Sequence, residues 1–200
     1  MRNDREPMMA AVDADSCAGL AGCYVHLPFC SAVCPYCDFA VVAGKDDLVE
    51  RYCAAVRTEI AADEPWRALD AVYFGGGTPS RIAPAELGSI LESLRSQHGL
   101  VDASEVTLEA NPEDWSVEKA RGLRRQGFNR VSFGAQSFDP SVLTALGRRH
   151  DPDQVRRAVD AARRGGFDNV SVDLIYGTPG ESDDSWSNSV KSDVAAGTAH

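Results

Sequence analysis

Strand-like and helix-like segments alternate along this chain five times after residue 22. Short apolar runs such as Ala71–Phe74 lead through a turn into stretches with apolar residues at i, i+3 and i+4. Serial alternation of this kind predicts a parallel sheet with right-handed crossovers. A closed barrel of eight such units needs about 250 residues, and the chain has 200. The expected fold is therefore α/β, either an open sheet or part of a barrel.

The pattern fixes approximate positions for each predicted element. The predicted strands cover residues 23–28, 71–74, 105–110, 130–134 and 169–175. Predicted helices start near Asp46, Pro84, Ser116, Pro140 and Pro152, and a last one is marked by Trp186, Val190 and Val194. Residues 1–22 lack a pattern and are expected to be a flexible leader. Residues 23–200 are expected to form one core, and the rhythm calls for another strand after it.

Composition excludes several functions. The net charge of −10 argues against non-specific nucleic-acid binding. No apolar run approaches the roughly 18 residues of a transmembrane helix, and the N-terminus lacks the apolar stretch of a signal peptide. We therefore expect a cytoplasmic protein, in which the six cysteines are metal ligands or free thiols rather than disulfides.

Three cysteines, Cys30, Cys34 and Cys37, lie within eight residues at C-x3-C-x2-C spacing. Thiolates suit iron–sulfur clusters and zinc. A [4Fe–4S] cluster takes four thiolates as a rule, so three would leave one iron open for chemistry. The alternative is a structural zinc site completed by His26 or Cys23. Such sites usually pair two short knuckles, and no second knuckle follows, so we favour the cluster.

Unusual residues follow each predicted strand, where parallel α/β folds place their ligand sites. The triple glycine Gly75, Gly76 and Gly77 with Thr78 would bring backbone close to a ligand, although a plain turn is the alternative. Glu109 and Asp173 lie in apolar strands, where an unpaired charge is costly. Structural pairing is one explanation for these two, and hydrogen bonding to a polar cofactor is the other.

At these residues the sequence resembles the radical S-adenosylmethionine (SAM) superfamily, in the branch of the heme chaperones HemW and the oxygen-independent coproporphyrinogen III oxidases. The matching segments run in order through the chain: Tyr24–Cys30, Cys34–Phe39, Tyr73–Ser80, Leu108–Pro112, Gly127–Arg130, Gly134–Phe138, Leu146–His150 and Asp173–Gly180. The resemblance implies a partial (βα)6 barrel, which here stops after the fifth unit and lacks the sixth strand and a C-terminal domain.

The resemblance also implies site residues and chemistry. The three cysteines would bind the cluster, whose open iron holds SAM and cleaves it to a 5′-deoxyadenosyl radical. Tyr24, Gly77 and Glu109 match positions that contact this SAM. A second set matches positions around a second SAM in the oxidases, namely Tyr36, Thr78, Gln136, Arg148 and Asp173.

The heme chaperones and the oxidases of this branch differ at a position that this sequence contains. The oxidases resemble C-x3-C-x2-C-x-C, and here Phe39 stands where the fourth cysteine would be. Their longer N-terminal segment is also absent before the first strand. Both departures favour the chaperone type, which implies heme as bound cargo, heme-accepting partner proteins and a low-potential electron donor of the flavodoxin or ferredoxin type. Oxidation of coproporphyrinogen III is the alternative.

Overall fold

A five-stranded parallel sheet is the centre of the fold in the computed structural model, which describes residues 19–198. Its strand order is β1-β4-β5-β6-β7, and a separate two-stranded sheet pairs β2 with β3. This confirms the predicted α/β fold with a parallel sheet. The strands are β1 (Gly22–Leu27), β2 (Phe29–Cys30), β3 (Val42–Ala43), β4 (Leu69–Gly76), β5 (Leu100–Ala110), β6 (Arg130–Gln136) and β7 (Asn169–Leu174).

Six helices lie between and after the strands of the large sheet, and local signals explain where they start and stop. Ser116 caps one helix by accepting a hydrogen bond from the backbone N–H of Lys119, and Gly127 ends it with φ of 103°. Asp151 and Gln154 form a capping box at another. The helices are α1 (Val49–Ala62), α2 (Pro84–His98), α3 (Val117–Gln126), α4 (Pro140–Ala145), α5 (Pro152–Arg164) and α6 (Asp183–Ala196).

The predicted leader, residues 1–22, overlaps the described part of the chain only at its end. Residues 1–18 lie outside the described residues. Ala21 is buried, and its N–H donates to a carboxylate oxygen of Asp70 at 2.7 Å. Gly22 is already the first residue of β1. The sheet therefore includes Gly22, which the sequence pattern assigned to the leader, and Ala21 packs directly beside it.

The two faces of the large sheet differ in chemistry. One face carries the core, and its side chains pack under α1, α2, α3 and α5. On the other face, side chains of all five strands are polar or glycine at alternate positions. The core face includes Val25, Leu27, Val72, Phe74, Val106, Leu108, Val131, Phe133, Val170 and Val172. The polar face includes Tyr24, His26, Tyr73, Gly75, Thr107, Glu109, Arg130, Ser132, Gly134, Ser171 and Asp173.

Helix α6 forms where it was expected but is held differently. Val190 and Val194, two of the apolar residues that indicated it, are 37% and 70% exposed. Its buried residue is Ser189, whose hydroxyl oxygen accepts a hydrogen bond from the backbone N–H of Phe138 at 3.0 Å. Polar anchoring therefore replaces apolar packing in this helix. No helix among residues 19–198 has the length and apolar character needed to span a bilayer.

Candidate cofactor site

One cleft lies at the carboxyl ends of the strands, as expected for a parallel α/β fold. It encloses about 940 Å³ of space, including solvent at its mouth. Eleven of the thirteen predicted site residues line it: Cys30, Cys34, Tyr36, Cys37, Gly76, Gly77, Thr78, Glu109, Gln136, Arg148 and Asp173. The exceptions are Tyr24 and Gly75.

The cysteine loop forms one wall of the cleft. The N–H of Cys37 donates to the carbonyl of Cys34 at 3.0 Å, which makes a tight turn between two of the cysteines. The loop is closed at its base by the N–H of Val42, which donates to the carbonyl of Pro28 at 2.8 Å. Burial raises the pKa of the Cys30 thiol, and a hydrogen bond from the Thr78 hydroxyl acts in the opposite direction.

The three thiols are compatible with the ligand set of a cluster. Among residues 19–198, no three or more His, Cys, Asp or Glu side chains converge as ligands of one metal ion. The thiolates of a [4Fe–4S] cluster bind separate irons and need not converge. Of the suggested fourth zinc ligands, His26 is engaged through Nε2, which lies 2.8 Å from the carbonyl oxygen of Ala40, and Cys23 does not line the cleft.

The triple glycine permits close approaches that a side chain would block. A Cβ on Gly77 would lie 2.7–2.8 Å from backbone atoms of Pro28 and Phe29, just before the first cysteine of the loop. Gly76 has φ of 110°, and a Cβ there would meet the ring of His26 at 2.5 Å. Gly75 is buried next to the side chains of Tyr73 and Glu109 rather than in the cleft. The three glycines therefore allow close packing at the end of β4, and their contact with a ligand stays a prediction.

Glu109 is held in place before any ligand arrives. The hydroxyl of Tyr73 donates to its Oε1 at 2.8 Å, and the N–H of Gly76 donates to its Oε2 at 3.1 Å. Burial raises the pKa of Glu109, and these two hydrogen bonds act in the opposite direction. Tyr24 stacks on Tyr73, with ring centroids 6.0 Å apart, and is 57% exposed. The structure thus places Tyr24 behind the cleft wall, beside a partner of Glu109.

The ends of β6 and β7 supply the opposite wall. Gln136 has φ of 67°, a left-handed conformation that is costly for a residue with a side chain and is often found at functional sites. The pairing with β7 shifts register at this point. On β7, Oδ1 of Asp173 accepts a hydrogen bond from the Ser132 hydroxyl at 2.9 Å. Both side chains therefore reach the cleft from a locally distorted pair of strands.

Arg148 approaches the cysteine loop from beyond β6. Its Nη2 donates to the carbonyl of Gly134 at 2.8 Å and to Oδ1 of Asn111 at 2.7 Å. Its Nε is buried and has no hydrogen-bond partner among the described residues. Burial raises the pKa of Tyr36 to about 12, with the Arg148 guanidinium acting in the opposite direction, so this phenol stays protonated at neutral pH.

Three residues in or next to the site were missed or left without a role in the sequence analysis. Tyr73 binds Glu109 from the neighbouring strand, which only the strand register reveals. His150 is buried, with Nε2 3.0 Å from the carbonyl oxygen of Ala135 and Nδ1 3.4 Å from Oε2 of Glu113. Glu113 lines the cleft, and its position four residues after Glu109 was the one available signal.

Comparison with known proteins agrees with this geometry. The family model described as the Radical SAM superfamily matches residues 24–192. The chain is 41% identical over 187 residues to a heme chaperone HemW of Mycobacterium tuberculosis, covering 90% of this chain and 47% of the relative. It is 34% identical over 164 residues to an oxygen-independent coproporphyrinogen III oxidase of Bradyrhizobium diazoefficiens, covering 80% of this chain and 36% of the relative.

A solved structure shares the fold. Coproporphyrinogen III oxidase (HemN) from Escherichia coli, described as a radical SAM enzyme, superposes with a TM-score of 0.81 at 27% identity, covering 90% of this chain and 42% of that one. A parallel α/β sheet, three clustered cysteines and a polar cleft at the strand ends define a radical SAM core. This chain belongs to the radical SAM superfamily and fits its HemW-like branch. It spans about half the length of the curated relatives it matches.

Proposed function

We propose that the protein is a HemW-like heme chaperone that carries a [4Fe–4S] cluster and SAM, binds heme and transfers it to target proteins. The observation that carries the proposal is the cleft itself, where Cys30, Cys34 and Cys37 share one cavity with the polar strand ends. The position of the fourth oxidase cysteine is Phe39, which also lines the cleft and is 68% exposed. Several of the similar curated proteins are named heme chaperone HemW.

Each wall of the cleft has a role in this proposal. The three cysteines would hold three irons, and Gly76, Gly77 and Glu109 would position the SAM bound at the fourth. When bound, the cluster and SAM together supply one-electron cleavage chemistry. The residues of the chain bind and orient these groups and limit the access of water. An electron donor of the flavodoxin or ferredoxin type would reduce the cluster in the cytoplasm.

The alternative function is oxygen-independent oxidation of coproporphyrinogen III. It is favoured by the placement of Thr78, Gln136, Arg148 and Asp173 in the cleft, since these match the positions around a second SAM in the oxidases. The likeness to the E. coli oxidase structure also favours it. The missing fourth cysteine argues against it.

Heme binding and turnover separate the two functions. The complete natural protein, reconstituted anaerobically with iron and sulfide, would be incubated with heme and, separately, with coproporphyrinogen III, SAM and a reductant. The chaperone is expected to bind heme in stoichiometric amount, to pass it to an apo-hemoprotein and to leave coproporphyrinogen III unchanged. Conversion to protoporphyrinogen would overturn the proposal in favour of the oxidase, and a colourless zinc protein would overturn both.

A further inference from the structure

Two hydrogen-bond donors point at sulfur atoms of the cysteine loop. Oγ1 of Thr78 lies 3.6 Å from Sγ of Cys30, and Nη1 of Arg148 lies 3.8 Å from Sγ of Cys34. Both distances suit hydrogen bonds to sulfur, whose radius is larger than that of oxygen. Thr78 is 5% exposed, so its hydroxyl is largely shielded from water. Two of the three cluster ligands therefore have a donor from outside the loop.

One residue, Asn111, links these two donors. Its Oδ1 accepts from Nη2 of Arg148 at 2.7 Å, and its Nδ2 donates to Oγ1 of Thr78 at 3.3 Å. Its backbone N–H donates to the Ser80 hydroxyl at 3.2 Å, which ties it to the 3-10 turn Pro79–Arg81 that follows β4. The side chain of Asn111 thus forms a bridge across the cleft floor.

The direction of every hydrogen bond in the bridge is determined. A guanidinium only donates, so the Asn111 atom that faces Arg148 has to be the carbonyl oxygen. The amide nitrogen then faces Thr78 and donates to it. Because the Thr78 oxygen accepts this bond, the single proton of its hydroxyl is free to donate to Cys30. Both contacts to sulfur are consequently donor to thiolate.

We propose that Asn111 is a positioning residue that aims Thr78 and Arg148 at the cluster thiolates and thereby raises the reduction potential of the cluster. Hydrogen bonds to cluster sulfurs are a known determinant of that potential. Reduction adds negative charge to the cluster and its ligands, so donors aimed at thiolates stabilise the reduced form more than the oxidised form. The inference gives Thr78 and Arg148 a role beyond contact with a second SAM. It rests on the cluster of the proposed function.

The test is a redox titration of reconstituted protein followed by EPR. Thr78→Val keeps the shape of the side chain and removes the donor, and Asn111→Leu removes the bridge. Each is expected to lower the ratio of reduced to oxidised cluster at the wild-type midpoint about tenfold, a negative shift of about 59 mV for a one-electron couple. The double variant is expected to shift by less than the sum, since Asn111 acts partly through Thr78. Thr78→Ser is expected to restore the wild-type potential.

Thr144→Val is the matched control, because it removes an exposed hydroxyl that bonds only to Pro140 of its own helix. An unchanged midpoint in either Thr78→Val or Asn111→Leu, with wild-type iron content, would overturn the inference while leaving the cluster and the proposed function intact. If Asn111→Leu takes up no cluster, the Thr78 variants decide alone. A wild-type protein without a SAM-responsive cluster would overturn the proposed function and this inference with it.

Discussion

At the residue level, the carboxylates of the cleft are fixed by donors from neighbouring strands. Both oxygens of Glu109 are occupied, by Tyr73 and Gly76 of β4. Asp173 uses one oxygen, which accepts from Ser132 of β6. A ligand therefore meets carboxylates that are already oriented, which lowers the entropic cost of forming the complex. Asp173 still has a second oxygen available to a ligand.

Replacing a single cysteine tests the ligand assignment directly. We expect Cys34→Ala to abolish the cluster, because two thiolates on this loop cannot hold a cubane whose other irons have no protein ligand. Iron content and the visible absorbance of anaerobically reconstituted protein would both be measured.

The matched control is Cys53→Ala, since Cys53 is a buried thiol on α1 that does not line the cleft. That variant is expected to keep its iron and lose some stability. Wild-type iron in Cys34→Ala would show that the ligand set is wrong.

The sequence predicted most of the side chains that line the cleft. It did not predict the hydrogen bonds that fix their orientation. Cys30, Cys34 and Cys37 were identified by spacing, and the residues after the strands by their position. Tyr73 and Ser132 were missed because their bonds to Glu109 and Asp173 depend on which strands are neighbours and in what register. That information is set by the packing of the whole sheet.

At the level of elements, the backbone of the turn after β4 packs directly against the backbone of the segment before the cysteine loop. We expect Gly77→Ala to separate them, because its Cβ would lie 2.7–2.8 Å from the backbone of Pro28 and Phe29 and backbone yields less easily than a side chain. Cys30 would be displaced, so iron uptake should fall by half or more. Iron per protein after reconstitution is the measurement.

Gly19→Ala is the control for this prediction. A Cβ there meets nothing within 4 Å, so we expect wild-type iron content. Equal iron content in Gly77→Ala and Gly19→Ala would mean that the close approach of β4 is unimportant for the cysteine loop.

Asp139 connects α4 and α6 through hydrogen bonds, and its lowered pKa should make the stability of the fold depend on pH. It accepts from the hydroxyl and N–H of Ser141 in α4 and from the hydroxyl of Ser185 in α6, and these bonds lower its pKa to about 2. A lowered folded-state pKa gives stability that is present above the ordinary value of 3.8 and is lost as the pH falls toward 2. Asp139→Ala should therefore cost about 1 kcal/mol at pH 7, as for loss of a helix cap.

The free energy of unfolding would be measured in urea at pH 7 and at several values below pH 4. The deficit of Asp139→Ala relative to wild type should shrink as the pH falls. Asp160→Ala is the control, because that exposed carboxylate faces only Arg164 on its own helix and should contribute about 0.5 kcal/mol or less. A deficit that is independent of pH would contradict the assigned role of the charge.

Helix positions followed the sequence closely, whereas the start of β5 did not, and the two short strands β2 and β3 were not predicted. Capping residues such as Ser116 and Asp151 act locally, so their signals can be read from the sequence. Strand β5 begins at Leu100, five residues before its predicted start. Ala103 within it has φ of 64°, and the pairing with β4 shifts register nearby. This irregular start lacks the alternation from which strands are predicted.

At the level of the whole molecule, stability is distributed unevenly. The sheet and α1, α2, α3 and α5 share one apolar core, whereas α6 buries Ser189 and no apolar side chain. We expect the amides of α6 to exchange with solvent at least about tenfold faster than those of α5, since local opening is easiest where little apolar surface is buried. Hydrogen–deuterium exchange measured by mass spectrometry would show this.

Helix α5 is a suitable comparison because it has 13 residues against 14 in α6 and buries four apolar residues: Val155, Ala158, Val159 and Ala162. Similar protection of the two helices would mean that the hydrogen bonds of Ser189 and Ser185 hold α6 as firmly as a core does.

The chemical difference between the two faces of the sheet separates folding from ligand chemistry along each strand. In β6, Val131 and Phe133 are buried in the core, while Ser132 and Gly134 face the other side. Mutational tolerance should therefore alternate with a period of two residues. In a saturation scan, protein abundance should be sensitive at the core positions, and cofactor or heme binding at the positions between them. Such a sheet can acquire new chemistry through one set of residues while the other set preserves the fold.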